Sequence, residues 1–151
     1  MTTEAQIDYE NPWLYNDSHF TSDDIGTYYG FVYQITNITT GKSYIGRKYF
    51  WSHRKPKGEK RRKKLESDWK KYYGSCPELK DDIKLFGKEN FKREILSLHL
   101  TPGKTNYEET RQLFINNVLT ESLNGAPAYY NSNILGRYYR KDYFPNPLTT
   151  T

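Results

Sequence analysis

The chain is short of cysteine, histidine and aliphatic side chains, and each shortage excludes something. Its single cysteine, Cys76, cannot form an internal disulfide, so a reducing interior suits the fold. There is no Cys-x-x-Cys pair, and His19, His53 and His99 lie far apart, which argues against a structural zinc site or a histidine-rich nuclease site. No apolar run is long enough to span a bilayer, and MTTEAQIDYENPW has neither the charged nor the apolar region of a signal peptide. A soluble, intracellular protein is expected. Only 35% of the 151 residues are hydrophobic, but fifteen are tyrosine, so the core of what reads as one domain must be largely aromatic.

Turn signals and periodicity divide the chain into three parts. Residues 1–24 read as an irregular arm whose strong anchor is Trp13, Leu14 and Tyr15, which should dock on the core. Residues 25–136 hold the regular elements. Strands are expected over Tyr29 to Ile35, Lys42 to Tyr49 and Phe91 to His99, the last with Phe91, Ile95 and Leu96 as its apolar positions. Glu66 to Tyr73 has a helical pattern in which Leu65, Trp69 and Tyr72 share a face. Pro77 opens a second helix, with Leu79, Ile83 and Phe86 at helical spacing before Gly87. Thr105 followed by Glu108 resembles a capping box opening a third helix, to about Leu119. A loop follows through Gly125, Pro127 and Asn131. Residues 137–151 form a basic, aromatic tail, RYYRKDYF, whose Pro145, Pro147 and terminal threonines look disordered.

Charge is unevenly spread. From Arg47 to Lys64 there are ten Lys or Arg and one acid, Glu59; the remainder has thirteen basic and seventeen acidic residues, so the whole excess of +5 sits in this segment. Tyr49, Phe50 and Trp51 are interleaved with it. Cations among aromatics suit a polyphosphate, because neutralised phosphates release counterions and rings can pack on sugars or bases. The candidate nucleic-acid-binding residues are Arg47, Lys48, Trp51, His53, Lys55, Lys57, Lys60, Arg61, Arg62, Lys63 and Lys64, with Lys42, Lys70 and Lys71 nearby. The plainer alternative is a solvated basic loop or a localisation signal.

Immediately before this segment, Gly30 to Gly46 reads GFVYQITNITTGKSYIG, a β-hairpin pattern carrying Tyr33 on one strand and Tyr44 on the other. Arg54 lies ten residues beyond Tyr44, an acidic helix follows the third strand, and Tyr130-Asn131 comes late. In this order the residues resemble the GIY-YIG nuclease superfamily. The stretch ESDWKKYYGSCPELKDDIKLFGKENFKREIL is similar to freestanding GIY-YIG endonucleases encoded by phages, some of them homing enzymes. The resemblance runs from Gly30 to Asn131.

The resemblance implies an α/β fold of the α+β type, in which a small three-stranded sheet containing an antiparallel hairpin is flanked by helices. It implies hydrolysis of phosphodiester bonds in duplex DNA with one divalent metal, Mg2+ or Mn2+, and, for a phage-encoded enzyme, the host cytoplasm. By position, Tyr33 and Tyr44 are the motif tyrosines near the scissile phosphate, Arg54 the arginine that steadies phosphate charge, and Asn131 the late asparagine that supports the site. A glutamate on the third helix is the implied metal ligand. Glu108 and Glu109 point about 100° apart; Glu108, sharing a face with Gln112, Ile115 and Leu119, is the expected choice, with Glu109 as a solvated acid. A tyrosine, with an ordinary pKa of about 10, could serve as a base only if the metal's water did much of the work, or if Arg54, Lys42 and Lys48 stabilised a partial phenolate. Tyr33 would then relay the proton while Tyr44 orients water or phosphate.

The chain departs from the family pattern in several places. Phe31 stands where the first motif has glycine, with Gly30 one residue earlier. Arg47-Lys48 follows YIG, Pro56 and Gly58 interrupt the helix expected around Arg54, and Glu121 to Ala128 is added before Asn131. A noncatalytic nucleic-acid-binding module on the same fold, or an RNA-directed nuclease, are the alternatives.

Overall fold

In GFVYQITN the alternation puts Phe31, Tyr33 and Ile35 on one face of a strand and Val32 and Gln34 on the other, and the sheet is built on this division. The computed structural model describes residues 8–145. The first seven residues of the expected arm, and Pro147 with the terminal threonines expected to be disordered, lie outside the described residues. In chain order come β1 (Leu14–Tyr15), β2 (Ser18–His19), β3 (Gly30–Asn37), β4 (Ser43–Tyr49), β5 (Trp51–Arg54), β6 (Lys63–Glu66), α1 (Pro77–Phe86), β7 (Phe91–His99) and α2 (Pro102–Ile115). Four two-residue strands follow: β8 (Ser122–Leu123), β9 (Ala126–Pro127), β10 (Asn133–Ile134) and β11 (Tyr138–Tyr139). The main sheet has the order β2-β1-β7-β3-β4, and β5 with β6 forms a separate ribbon. No helix of the described residues is long and apolar enough to cross a membrane.

β3 is the centre of this α+β fold, antiparallel to β4 on one side and to β7 on the other. The β3–β4 turn is shaped by Asn37, whose side-chain oxygen accepts from the backbone N–H of Thr39 (3.0 Å) and Thr40 (3.3 Å). Against β7 the register shifts: Val32 faces Ser97 but Tyr33 faces Ile95, so Leu96 is an extra residue. The bulge changes the parity of β7. Ile95 and Leu98 therefore both reach the core, while Leu96, one of the strand's apolar positions, is 39% exposed.

Two cores result. On one face Trp13, Phe20, Phe31, Tyr33, Phe50, Trp69 and Tyr130 pack with Leu79 and Ile83 of α1. On the other, Val32 and Ile45 pack with Leu113 of α2 and with Val118, Leu119 and Ile134. Phe31, the apparent departure from the motif, is fully buried, 4.8 Å from Phe50 and 5.1 Å from Trp13 between ring centroids. The close approach falls on Gly30 instead: a Cβ there would lie 2.8 Å from Thr105 Oγ1, so α2 could not sit as near the sheet.

Several elements differ from expectation. The Trp13 anchor does dock, and its neighbours extend the sheet, with Leu14 pairing in parallel with Glu94. Glu66 to Tyr73 is not a helix: Glu66 ends β6 and a single 3₁₀ turn holds Trp69–Lys71. Tertiary bonds override the pattern there, since the Glu66 carboxylate accepts from Ser22 (2.7 Å) and from the Trp69 indole (2.9 Å). α2 begins three residues before the expected cap. Thr101 caps it, accepting from Lys104 N (3.1 Å), and Pro102 takes the first position. Thr105 is a buried interior residue and Glu108 is no capping-box partner. The helix also stops at Ile115 rather than Leu119, the expected loop holds one small hairpin, β8–β9, and a second, β10–β11, follows it into the start of the expected tail.

The least expected core residue is Arg93, 1% exposed on β7. Its guanidinium donates to the carbonyls of Glu10 (3.1 Å), Asn11 (2.6 and 3.1 Å) and Tyr72 (2.8 Å), and lies over the rings of Tyr73 and Trp13. One planar fork thereby ties the N-terminal arm and the segment before α1 to the sheet. Arg93→Met should lower stability by about 3–5 kcal/mol, since it strands several carbonyls, and the melting temperature by on the order of 10 °C. Arg93→Lys, which keeps the charge but loses the fork, should recover only a minor part of this in a thermal melt; full recovery would show that charge alone matters.

Tyrosine burial gives a second prediction. Burial pushes Tyr9 and Tyr44 up to about 12 and Tyr33 well above the ordinary phenol value. A folded-state pKa above the unfolded one contributes stability that is complete below about pH 10 and is lost as pH rises through the folded values. The chain should unfold in alkali above pH 10, with the buried phenols ionising only as far-ultraviolet circular dichroism is lost. Complete phenol titration of a still-folded chain would contradict it.

Candidate active site

β4 is the outer strand of the main sheet, and its free edge is where the site forms. Part of that edge is covered. Tyr130 N donates to Ser43 O (2.7 Å), and the Asn131 amide then takes both polar atoms of Ile45, accepting from its N–H at 3.1 Å and donating to its carbonyl at 2.8 Å. Asn131 is 5% exposed and works as a substitute strand neighbour between Tyr44 and Gly46. Its amide is used in holding the YIG strand.

Beside this cover lies a cleft of about 370 Å³, walled by Tyr44, Ile45 and Arg47 of β4, Ser75 to Pro77, Glu109, Thr110 and Leu113 of α2, and Asn131 to Asn133 with Leu135. Glu109 reaches it because the inward stripe of α2 is Thr105, Glu109, Leu113, at i, i+4 and i+8. Its Oε1 is 3.3 Å from Arg47 Nε. Burial pushes the Glu109 carboxyl up, and Arg47 draws it partly back.

Glu108, the expected ligand, is not in this cleft. It faces Arg111 (2.5 and 2.8 Å) and Gln112 (2.9 Å), and the Arg111 hydrogen bonds hold it at about 2. The sequence signal for Glu109 was the Thr105–Glu109–Leu113 stripe. Exposed apolar residues later on the helix, Phe114 (48%) and Ile115 (55%), mask it.

The two motif tyrosines come together in layers. Tyr44 lines the cleft and Tyr33, 1% exposed, lies behind it, their ring centroids 6.2 Å apart, with Tyr72 edge-on to Tyr33 at 6.0 Å. The YIG glycine makes this possible: a Cβ on Gly46 would lie 2.5 Å from the Tyr33 hydroxyl. Gly74 (φ +85°) brings its backbone against both rings. Burial raises both phenols, and none of the cations counted on is placed to lower them: Arg54 lies outside the cleft and the two lysines are paired. Lys42 pairs with Glu78, and Lys48 pairs with Asp68 (2.6 Å) above the Tyr72 ring.

Arg54 lies outside the cleft, exposed at the end of β5, where it helps line a neighbouring hollow of about 470 Å³ with Tyr29, Tyr49, His53 and Asp68. Arg47 lines both spaces. No helix surrounds Arg54; the basic segment is the β5–β6 hairpin, in which Pro56 and Gly58 belong to the connecting loop. Lys55, Lys57, Lys60, Arg61, Arg62, Lys63 and Lys64 are all exposed on it. Trp51 is packed at its root, with its indole N–H on Tyr28 O (3.3 Å) and Lys64 over its ring. Lys70 pairs with Asp8 (2.8 Å), while Lys71 is exposed.

Among the described residues no group of three or more His, Cys, Asp or Glu could hold a metal, so the cleft offers one carboxylate, one guanidinium and one accessible phenol. No curated protein and no solved structure matches the chain. Residues 13–134 match the family model described as "Putative endonuclease segE, GIY-YIG domain". A hairpin that sets two tyrosines against a glycine, with a helix carboxylate across the strand edge, thus belongs to a chain that is a member of the GIY-YIG endonuclease family, a nuclease by class.

Proposed function

We propose that this chain is a DNA endonuclease that hydrolyses phosphodiester bonds in the β4-edge cleft, with Glu109 holding one divalent cation, Mg2+ or Mn2+. The observation that carries the reading is the convergence of Glu109, Arg47 and Tyr44 on one cleft. A lone carboxylate fits such a cation, because Mg2+ is commonly held by one or two carboxylates, with water and substrate phosphate oxygens completing its shell. When bound, it would neutralise phosphate charge and acidify a water.

The chain's own residues supply the rest. Arg47 offers a planar guanidinium to the nonbridging oxygens, exchanging its contact with Glu109 for the phosphate. Tyr44, a phenol protonated at neutral pH and pushed further from ionising by burial, presents an O–H that orients water or phosphate. Tyr33 backs it from the core and has no open route to solvent. Asn131 is a positioning residue, fixing the strand that carries Tyr44 and Arg47. Arg54, at the ribbon's root, contributes to binding rather than to the reacting phosphate. Similarity to phage-encoded freestanding enzymes, some of them homing enzymes, makes the host cytoplasm the proposed setting.

The test is cleavage of supercoiled plasmid with Mg2+ and with EDTA. Glu109→Gln should lower the Mg2+-dependent rate by on the order of 10³-fold while Glu108→Gln stays near wild type. The reverse ranking would return the ligand to Glu108. Intact plasmid despite firm DNA binding would favour the noncatalytic module.

A further inference from the structure

Paired and unpaired cations are unevenly placed among the described residues, and the densest run of exposed ones is the β5–β6 ribbon. Lys42, Lys48, Lys70 and Arg111 are each paired with a carboxylate on the body of the protein. The ribbon is built the other way. Its register sets Arg54 directly opposite Lys63 and His53 opposite Lys64. Arg54 and Lys63 are like charges directly opposite one another, which repel in a sheet. The connecting residues 55–62 add Lys55, Lys57, Lys60, Arg61 and Arg62, and the ribbon's one acid between Arg54 and Lys64, Glu59, takes Lys63 at 3.1 Å.

This repulsion is carried on a firm root. The Glu66 carboxylate is held by Ser22 and Trp69, the Trp51 indole by Tyr28 O, and the Ser67 hydroxyl donates to Tyr49 O at 2.6 Å. From His53 to Lys64 every residue except Pro56 is exposed. The ribbon thus leaves the body beside the hollow that shares Arg47 with the cleft, its direction set while most of its charge stays unneutralised.

Cross-strand partners share a face and successive residues alternate, so Arg54 and Lys63 lie on one face and His53 and Lys64 on the other. A flat phosphate surface would satisfy one face and leave the other bare. A groove between two phosphate rows serves both. We infer that the β5–β6 ribbon enters the major groove of a B-form DNA duplex, an inference that takes its substrate class from the nuclease reading above. The major groove, about 12 Å wide, admits a two-stranded ribbon, whereas the minor groove, about 6 Å wide, is too narrow. The major groove of A-form RNA is deep and narrow and excludes it as well. Inside the groove Arg61 and Arg62 have the chemistry to pair with guanine O6 and N7.

Dimethyl sulfate footprinting of the full chain on duplex DNA, in EDTA so that nothing is cut, tests this directly. Guanine N7, in the major groove, should be protected over a short patch, and adenine N3, in the minor groove, should not. Replacing Lys60→Ser, Arg61→Ser and Arg62→Ser together, all at exposed positions, should remove the protection. The slope of log affinity against log salt should fall by about two to three units, at about 0.9 for each phosphate no longer neutralised. An RNA duplex of the same sequence should bind at least about 10-fold more weakly. Protection of adenine N3, unprotected guanine N7 in the bound complex, equal affinity for RNA, or no binding would overturn the inference. Plasmid cleavage separates the two readings: intact plasmid with N7 protected sinks the nuclease and leaves the ribbon, and cleaved plasmid with N7 open does the opposite.

Discussion

The pair of hydrogen bonds between the Asn131 amide and the backbone of Ile45 is the constraint on which the site depends. An edge strand normally presents unpaired N–H and C=O groups that solvent or another strand will take. Here one side chain takes both groups of the middle YIG residue and closes the edge at that point, and the loop from Ala128 to Tyr130 closes it just before. The strand is thereby fixed on both sides, by β3 and by this loop. Tyr44 and Arg47 project into the cleft from a rigid rail, and the same loop supplies Ser132 and Asn133 to its wall. The Tyr130 ring beside it is pinned in turn, its hydroxyl donating to Asp82 (2.7 Å) and accepting from Asn37 (3.2 Å). Cover, turn and α1 are thus one connected unit.

Behind the rail the sheet is held by rings rather than by aliphatic chains. Trp13, Phe31, Phe50, Trp69 and Phe20 meet edge to face, tilted or stacked at 4.8–6.4 Å between centroids. Such rings bury much area per residue, which suits a chain with few aliphatic residues. They also set tight clearances, so glycine is required wherever backbone must pass a ring, as Gly46 passes Tyr33. The motif glycine and the motif tyrosine are one packing requirement stated twice. Phe31 shows the same logic in reverse, since its place faces the ring cluster and the close approach to α2 has moved to Gly30.

How much of this the sequence shows depends on whether local chemistry or long-range contact decides. β7 and α1 lie at their expected bounds, because β-rich residues flanked by turn signals, and a Pro-to-Gly bracket, are local signals. The hairpin and its two tyrosines are equally legible. The phase of α2 is not. Its start is fixed by Thr101 and Pro102, its end by chain reversal at Asn116–Asn117, and only the packing of Leu113 against Val32 and Ile45 decides which of two adjacent glutamates turns inward. Arg93 is hidden for the same reason. Nothing in FKREILSLH marks an arginine as buried, because its partners are carbonyls of Glu10, Asn11 and Tyr72, from 21 to 83 residues away.

Charge is the feature for which a count misleads most. Ten basic residues between Arg47 and Lys64 look like one binding patch, yet Lys48 is neutralised on the body by Asp68 and Arg47 faces Glu109 inside the cleft. The densest run of exposed cations is on the ribbon, where register sets Arg54 opposite Lys63. Electrostatics therefore separates the chain into a cleft whose one guanidinium is balanced and an arm whose charge is left over. A balanced cleft keeps its geometry before substrate arrives, and an unbalanced arm gains most from a polyanion. On the function proposed here, the arm would supply long-range attraction without pulling the cleft's groups out of register.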